Sequence, residues 1–285
     1  MSICLLCNDE NYKVRHHRVR DKADIQVLEC INCGLVYLSR LDHISDDFYE
    51  QSGMLNGKVD LDNYRKQTKK DDLRRANSLR DKLIGKRVLD FGCGSGGFLH
   101  LIKDTAGAVS GVELDKRLNH TLNSEGIECF EDISEINGAY DVITLFHVVE
   151  HLVHPIDVLS KLRKHLNPNG IILIEVPNAD DALLTLYNSK EFADFTYWSC
   201  HVYLYNTETM KKMVNKAGYN VKLIKQIQRY PLSNHLHWLS SGKPGGHLHL
   251  NMLDNPMLTE AYEMALAAVG KCDTIMVEIY DSKEK

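Results

Sequence analysis

The segment Val88-Leu89-Asp90-Phe91-Gly92-Cys93-Gly94-Ser95-Gly96-Gly97-Phe98-Leu99 most constrains what this chain can become. An apolar strand-like run enters four closely spaced glycines and leaves into a second apolar run. Glycine permits a tight turn and lets a ligand approach the backbone without a Cβ in the way. The helix that follows offers unpaired N–H groups at its start. Gly92, Gly94 and Gly97 also satisfy the dinucleotide fingerprint, so the loop alone leaves a nicotinamide-dependent oxidoreductase open. Asp90 shifts the balance. It stands two residues before the first glycine, where a dinucleotide site normally has an apolar residue. A carboxylate there attracts a cationic ligand and repels a pyrophosphate. Glu113 closes the next strand-like run about 20 residues further on, where an acid accepts hydrogen bonds from ribose hydroxyls.

From residue 86 onward, strands and helices alternate. Strands are expected at 88–91, 108–113, 128–130, 140–146 and 171–176, with helices at 97–105, 118–125 and 155–166. The run 171–176 is apolar except for Glu175, as in a parallel strand buried on both faces. Asn167-Pro168-Asn169-Gly170 reads as a turn. The tail adds a helix over 207–217, a strand over 221–228, a Gly/Pro/His-rich loop, a helix over 256–269 and a strand over 274–280. This pattern predicts an α/β chain: a Rossmann-like, doubly wound sheet of seven strands. Three sections follow: a small module at 1–42, a helical connecting segment at 43–84, and the main domain at 85–285.

The module carries Cys4-x2-Cys7 and Cys30-x2-Cys33. Two such knuckles about 20 residues apart match a structural zinc ribbon with four thiolate ligands and no open position. A segment this short and poor in apolar residues needs a staple to fold. The other four cysteines are scattered and read as small buried residues. Zinc ribbons also bind nucleic acid, and Arg15, His16, His17, Arg18 and Arg20 form a modest basic patch. The whole chain nevertheless carries a formal charge of -5, which argues against a broad phosphate-binding surface. No apolar run approaches the roughly 20 residues that span a bilayer. The N-terminal stretch lacks the basic and apolar regions of a secretory signal. A cytoplasmic location, no membrane partner and a small-molecule acceptor are expected.

Taken together, DFGCGSG, GVELD and FHVVEHLVHPIDVLSKLRKHLNPNGIILIEVPN resemble the class I S-adenosylmethionine-dependent methyltransferases, in the branch that includes ubiquinone O-methyltransferases and sugar methyltransferases. The resemblance is strong over 86–218. It supplies a cationic ligand for Asp90, and it implies a set of roles. Asp90, Gly92 and Gly94 line the methionine end of S-adenosylmethionine. Glu113 holds the ribose, Leu114 packs on adenine, and Asp132 with Ile133 meets the adenine edge. Phe146 and His147 lie beside the cofactor. In the resembled sugar methyltransferases a similar zinc module sits beside the substrate site.

Two histidine-bearing segments are candidates for the chemistry. Phe146-His147-Val148-Val149-Glu150-His151 ends the fourth strand, where ligands bind in such sheets. His147 is a candidate base. His147, Glu150 and His151 are alternatively metal ligands, as the resemblance implies, or stabilisers of the turn. Tyr197-Trp198-Ser199-Cys200-His201 resembles the segment where sugar C-methyltransferases carry Tyr-x-Glu-His. His201 matches, while Trp198 and Cys200 replace the tyrosine and glutamate. This weakens C-methylation and leaves His201 as a base for a hydroxyl. Arg229, Lys243 and the histidines between them are read as an anion-binding loop, with Trp238 as a stacking surface. The expected activity is methyl transfer to a hydroxyl of a small polar metabolite such as a sugar, nucleotide-sugar or phosphorylated carbohydrate intermediate.

Overall fold

The structure is a computed structural model that describes residues 3–44 and 60–281. Three short strands come first: β1 (Tyr12–His16), β2 (Val27–Cys30) and β3 (Val36–Leu38). Helix α1 (Leu61–Leu83) follows. Then come β4 (Arg87–Phe91), α2 (Gly97–Ile102), β5 (Ala108–Val112), α3 (Lys116–Ser124), β6 (Glu128–Phe130), β7 (Tyr140–Phe146), α4 (Pro155–Leu162) and β8 (Leu166–Pro177). The last part holds α5 (Ala182–Thr185), α6 (Lys190–Thr196), β9 (Tyr203–Leu204), α7 (Thr207–Lys216), β10 (Tyr219–Ile227), α8 (Leu232–Ser241), α9 (Gly246–His249), α10 (Pro256–Ala268) and β11 (Thr274–Asp281). Part of the predicted connecting segment, residues 45–59, lies outside the described residues.

Seven strands form the central sheet in the order β10-β11-β8-β7-β4-β5-β6. β4, β5, β6, β7 and β8 run parallel, and β11 is antiparallel to both β8 and β10. The order reverses at β4, which lies between β5 and β7. This is the switch point at which open α/β sheets bind ligands.

Consecutive residues of the parallel strands feed opposite faces. Val88, Val142 and Leu173 join one buried cluster with Leu79 and Leu83 of α1 and Phe98 and Leu99 of α2. Leu89, Ile143, Ile172 and Ile174 join the other, with Leu159 of α4 and Met210 and Met213 of α7. Such full burial contributes about 1.5–3 kcal/mol per large apolar side chain.

β1, β2 and β3 form an antiparallel ladder that takes its fourth strand, β9, from beyond residue 200. Cys4, Leu28, Cys30, Leu35 and Tyr37 share a continuous core with the main sheet.

Two expectations need correction. Residues 167–170 do not form a free turn. They lie within β8, whose pairing with β7 is irregular between Tyr140 and Val142, and Asn169 takes a positive φ. The Gly/Pro/His-rich stretch after β10 is not a loop either. It contains α8 and α9, and Trp238 is buried against Phe192 and Phe195 of α6. Trp238 therefore fills a core gap and offers no free stacking face.

Candidate active site

A cavity of about 730 Å³ opens beyond the carboxyl ends of β4, β5 and β7, within the size range of ligand pockets. Every predicted cofactor-contacting residue reaches its wall: Asp90, Gly92, Gly94, Glu113, Leu114, Asp132, Ile133, Phe146 and His147. His201 lines it as well, having come from a segment about 50 residues beyond β7.

Gly92 and Gly94 both require their glycine. Their φ angles are +76° and +56°, a region that L-residues with a Cβ enter only at a cost. A Cβ on Gly92 would stand 2.5 Å from Val148, and one on Gly94 would stand 2.8 Å from the Tyr64 hydroxyl. Gly94 also donates its N–H to Glu113 at 2.8 Å, and Asp115 donates to the same carboxylate at 2.9 Å.

Two carboxylates face this loop. Asp90 is buried and accepts from the Thr144 hydroxyl at 2.6 Å. Burial pushes its pKa up to about 7. Burial also raises Glu113. Two carboxyls held above their ordinary range beside one cavity are a receptive surface for a cation. Leu114, by contrast, stays 41% exposed at the cavity edge. Asp132 caps a 3-10 turn (Ile133–Glu135) by accepting from the N–H of Ser134 at 2.8 Å. Carboxylates at one end and an apolar surface at the other fit the cationic methionine part and the adenosine part of S-adenosylmethionine.

The roof of the cavity has no short-range signature in the sequence. α1 lies across the glycine loop, and Tyr64, Gln67, Thr68, Asp71, Asp72 and Arg75 line the cavity. Arg65 clamps the roof to the loop by donating to the Ser95 carbonyl at 3.0 and 3.1 Å. Arg74 and Arg75 each donate to Glu175 at 2.7 Å, and Arg75 stacks on the Phe146 ring. Glu175 is held well below the usual carboxylate range, against its burial, by His147, Arg75 and Arg74 gathered around it. The anion-binding reading of Arg229 also needs correction. Its guanidinium lies against Asp71 and donates to His147 Nε2 at 3.0 Å, so its charge is already compensated inside the protein.

His147 sits at the end of β7 with φ +56°, a strained position of the kind found at ligand sites. Both ring nitrogens are engaged. Nδ1 lies 3.0 Å from Glu150, and Nε2 lies 3.0 Å from the Arg229 guanidinium and 3.4 Å from Glu175. Glu150 is buried and, against that burial, is held below its ordinary range by His147.

Behind it stand His151 and His201, ring centroids 5.0 Å apart. His151 Nδ1 donates to the Cys200 carbonyl at 2.8 Å. His201 Nδ1 is buried and has no hydrogen-bond partner among the described residues. Burial lowers the His201 pKa to about 3, with His151 adding to the shift and Glu150 opposing it, so this imidazole is neutral and, in these surroundings, a weak base. Glu150, His151 and His201 also bring ligand atoms within 4.8 Å of one another.

In the N-terminal module Cys4, Cys7, Cys30 and Cys33 bring their sulfurs together within 4.8 Å. Cys4 lies 3.4 Å from Cys33, and Cys7 lies 3.4 Å from Cys30. A tetrahedral zinc–thiolate site has sulfur–sulfur edges of about 3.8 Å, so the cluster fits such an ion with little adjustment.

The sheet order, the switch-point cavity and the carboxylate-lined glycine loop define a class I S-adenosylmethionine-dependent methyltransferase. Comparison with known proteins agrees. The family model described as a methyltransferase domain matches residues 62–224, more than half of the chain, and the chain belongs to that family. The ubiquinone biosynthesis O-methyltransferase of Burkholderia pseudomallei (strain 1710b) is 26% identical over 166 residues, covering 53% of this chain and 72% of its own. That of Aeromonas salmonicida (strain A449) is 26% identical over 169 residues, covering 53% and 70%. Among solved structures, the plantazolicin methyltransferase BpumL, in complex with a monoazolic desmethylPZN analog and S-adenosylhomocysteine, superposes with a TM-score of 0.52 at 17% identity. The match covers 83% of this chain and 93% of that one. Among the described residues no helix is long and apolar enough to cross a membrane.

Proposed function

We propose that this enzyme methylates a hydroxyl of a small polar acceptor, with a sugar, a nucleotide-sugar or a phosphorylated carbohydrate intermediate as the substrate class. The observation that carries the reading is the placement of buried Asp90 and of His201 in the wall of one pocket. When bound, S-adenosylmethionine supplies an electrophilic methyl group on a cationic sulfur. Asp90, Gly92 and Gly94 accommodate its methionine end. Glu113 takes the ribose hydroxyls. Leu114, Asp132 and Ile133 would frame the adenine, and Phe146 and His147 would lie beside the cofactor. Most of the acceleration then comes from holding acceptor oxygen and methyl in line.

His201 receives the hydroxyl proton, and Glu150, in the same buried cluster, stabilises the imidazolium once it forms. His147 is less suited to that task because Arg229 and Glu150 occupy its nitrogens. Oxygen is favoured over carbon as the acceptor by Cys200. Burial pushes its thiol up to about 11, so this position offers no anionic base for a carbon acid. The relatives named as O-methyltransferases support the same choice. Cys4, Cys7, Cys30 and Cys33 hold a structural zinc ion.

Calorimetry with S-adenosylhomocysteine tests the reading. Binding at micromolar or better Kd is expected, abolished in Gly92→Arg and weakened in Glu113→Ala. Absence of binding in the parent protein would overturn it.

A further inference from the structure

The turn that carries His201 is held from outside its own domain. Residues 197–201 leave α6 and reach β9, and His201 N–H closes the turn on the Trp198 carbonyl at 3.0 Å. From the main domain, His151 fixes this turn through the Cys200 carbonyl. The N-terminal module grips the other side. Asp21 accepts from the Ser199 backbone N–H at 3.0 Å and from its hydroxyl at 2.5 Å. Arg20 places its guanidinium 4.3 Å from the Trp198 ring centroid, and the Arg20 backbone N–H donates to the Tyr197 carbonyl at 2.8 Å. His43 Nε2 donates to the Ser199 carbonyl at 2.8 Å.

Just upstream, Asp194 accepts from His16 and Arg18, and Arg15 donates to the Tyr197 hydroxyl at 2.8 Å. Downstream, the Leu38 N–H donates to the Val202 carbonyl, and β3 pairs with β9. The turn is thus bounded on both flanks by the ladder of the cysteine-bearing module. Asp21 ties both polar groups of one turn residue, the backbone N–H and the side-chain hydroxyl of Ser199. Against its partial burial, Ser199 holds its pKa below the ordinary range, so it stays an acceptor.

We propose that Asp21 and Arg20 are positioning residues for His201. The module is then the mould that fixes where the proton acceptor stands. The inference rests on the reading of His201 given above. It assigns a function to the basic run around residues 15–20 that nucleic-acid binding would otherwise claim. Arg15, His16, Arg18 and Arg20 each contact residues within 194–198 of the chain itself.

The test uses the full-length, metal-loaded protein with S-adenosylhomocysteine present. Hydrogen–deuterium exchange is followed on the peptide spanning residues 197–202. A charge-assisted hydrogen bond lost from a locally opening turn raises exchange by about tenfold or more, and this is expected in Asp21→Ala. Asp21→Asn keeps one acceptor and one donor toward Ser199 and should restore much of the protection. Ser199→Ala opens the same clamp from the main-domain side without altering the module. Its effect and that of Asp21→Ala should fall well short of adding.

The ring resonances of His201, assigned by their loss in His201→Ala, should move in Asp21→Ala and Arg20→Gln and stay in place in Asp9→Ala, a module variant away from the turn. Throughout, metal content and affinity for S-adenosylhomocysteine should remain within about twofold of the parent, well under the tenfold that 1.4 kcal/mol represents. Unchanged exchange and unchanged His201 resonances in both Asp21→Ala and Ser199→Ala would overturn the clamp while leaving cofactor binding intact. Failure of the parent to bind S-adenosylhomocysteine would instead overturn the methyl-transfer reading.

Discussion

Asp90 and Thr144 face each other across neighbouring strands β4 and β7, the threonine hydroxyl donating to the carboxylate at 2.6 Å in a buried position. The hydroxyl supplies one hydrogen bond and no charge, so burial wins and the carboxyl titrates near pH 7. A carboxylate whose pKa is higher in the folded than in the unfolded chain makes folding less favourable as pH rises. The loss begins near the unfolded value of about 4, grows until the folded value of about 7 is passed, and is constant above it.

Asp90→Asn keeps the shape and removes that penalty. At pH 8 the unliganded variant is expected to be more stable than the parent, with a difference that shrinks toward pH 4. The same variant should bind S-adenosylmethionine at least tenfold more weakly, because the cation loses its partner. Thermal unfolding across pH, paired with calorimetry at pH 8, checks both. An Asp90→Asn variant less stable than the parent at pH 8 would contradict the burial argument.

A second prediction concerns Asp71 and Arg229, which join the roof helix to the chain beyond β10 across a separation of 158 residues. The pair is mostly withdrawn from solvent, with 20% and 22% of the two side chains exposed. Removing one partner of such a pair costs about 3–5 kcal/mol, because the other charge stays behind unpaired. Asp71→Ala should therefore destabilise the protein strongly and loosen α1 over the cavity. Asp71→Leu combined with Arg229→Met should cost markedly less than Asp71→Ala alone. Chemical denaturation of Asp71→Leu, Arg229→Met and their double variant, beside Asp71→Ala, separates the outcomes, since simple additivity of the two single changes would show that the pair is not coupled.

The cysteine cluster yields a third. With zinc bound, elemental analysis should find one ion per chain, and Cys30→Ser should remove it. Metal binding is folding free energy in so small a module. Loss of the ion should thus lower Tm and raise exchange throughout β1, β2 and β3. A Cys30→Ser protein with full metal content and an unchanged Tm would refute the four-thiolate site.

What can be read along the chain is local. The glycine loop, the five parallel strands and the paired cysteines each announce themselves within a dozen residues, because a strand-to-helix turn, a buried strand and a metal knuckle each have a short-range physical signature. What cannot be read depends on distant partners. Asp72 and Arg75 on α1 look like a solvated charge run, yet both are buried, and Arg75 answers Glu175 from β8, 100 residues away. The one break in the apolar run of β8 is thus half of a pair whose other half lies in an ordinary polar helix. The stretch around Trp238 misleads for a related reason. Its glycines, proline and histidines suggest a loop, but Trp238 inserts between Phe192 and Phe195, and His235 bonds Tyr262 at 2.8 Å, so tertiary packing sustains α8 against its composition. His201 is recognisable only through its resemblance to a known segment. Its neighbours Glu150 and His151 precede it by about 50 residues, and no periodicity links them.

The last prediction separates two reasons for a glycine at position 94. Its φ of +56° penalises any side chain by about 1–2 kcal/mol. Its Cβ position is also occupied, lying 2.8 Å from the Tyr64 hydroxyl. Gly94→Ala lets the free loop relax away from this conformation, so binding of S-adenosylhomocysteine, which would have to restore it, should weaken by more than the backbone penalty alone, up to roughly a hundredfold if both penalties apply at about 1.4 kcal/mol each. Tyr64→Ala added to Gly94→Ala clears the roof and leaves only the backbone penalty, so part of the affinity should return despite the larger cavity. Calorimetry on the single and double variants measures the partition. If the double variant binds no better than Gly94→Ala, α1 is not the wall that the glycine loop is shaped to meet, and the roof's part in holding the cofactor would have to be assigned to other residues of that helix.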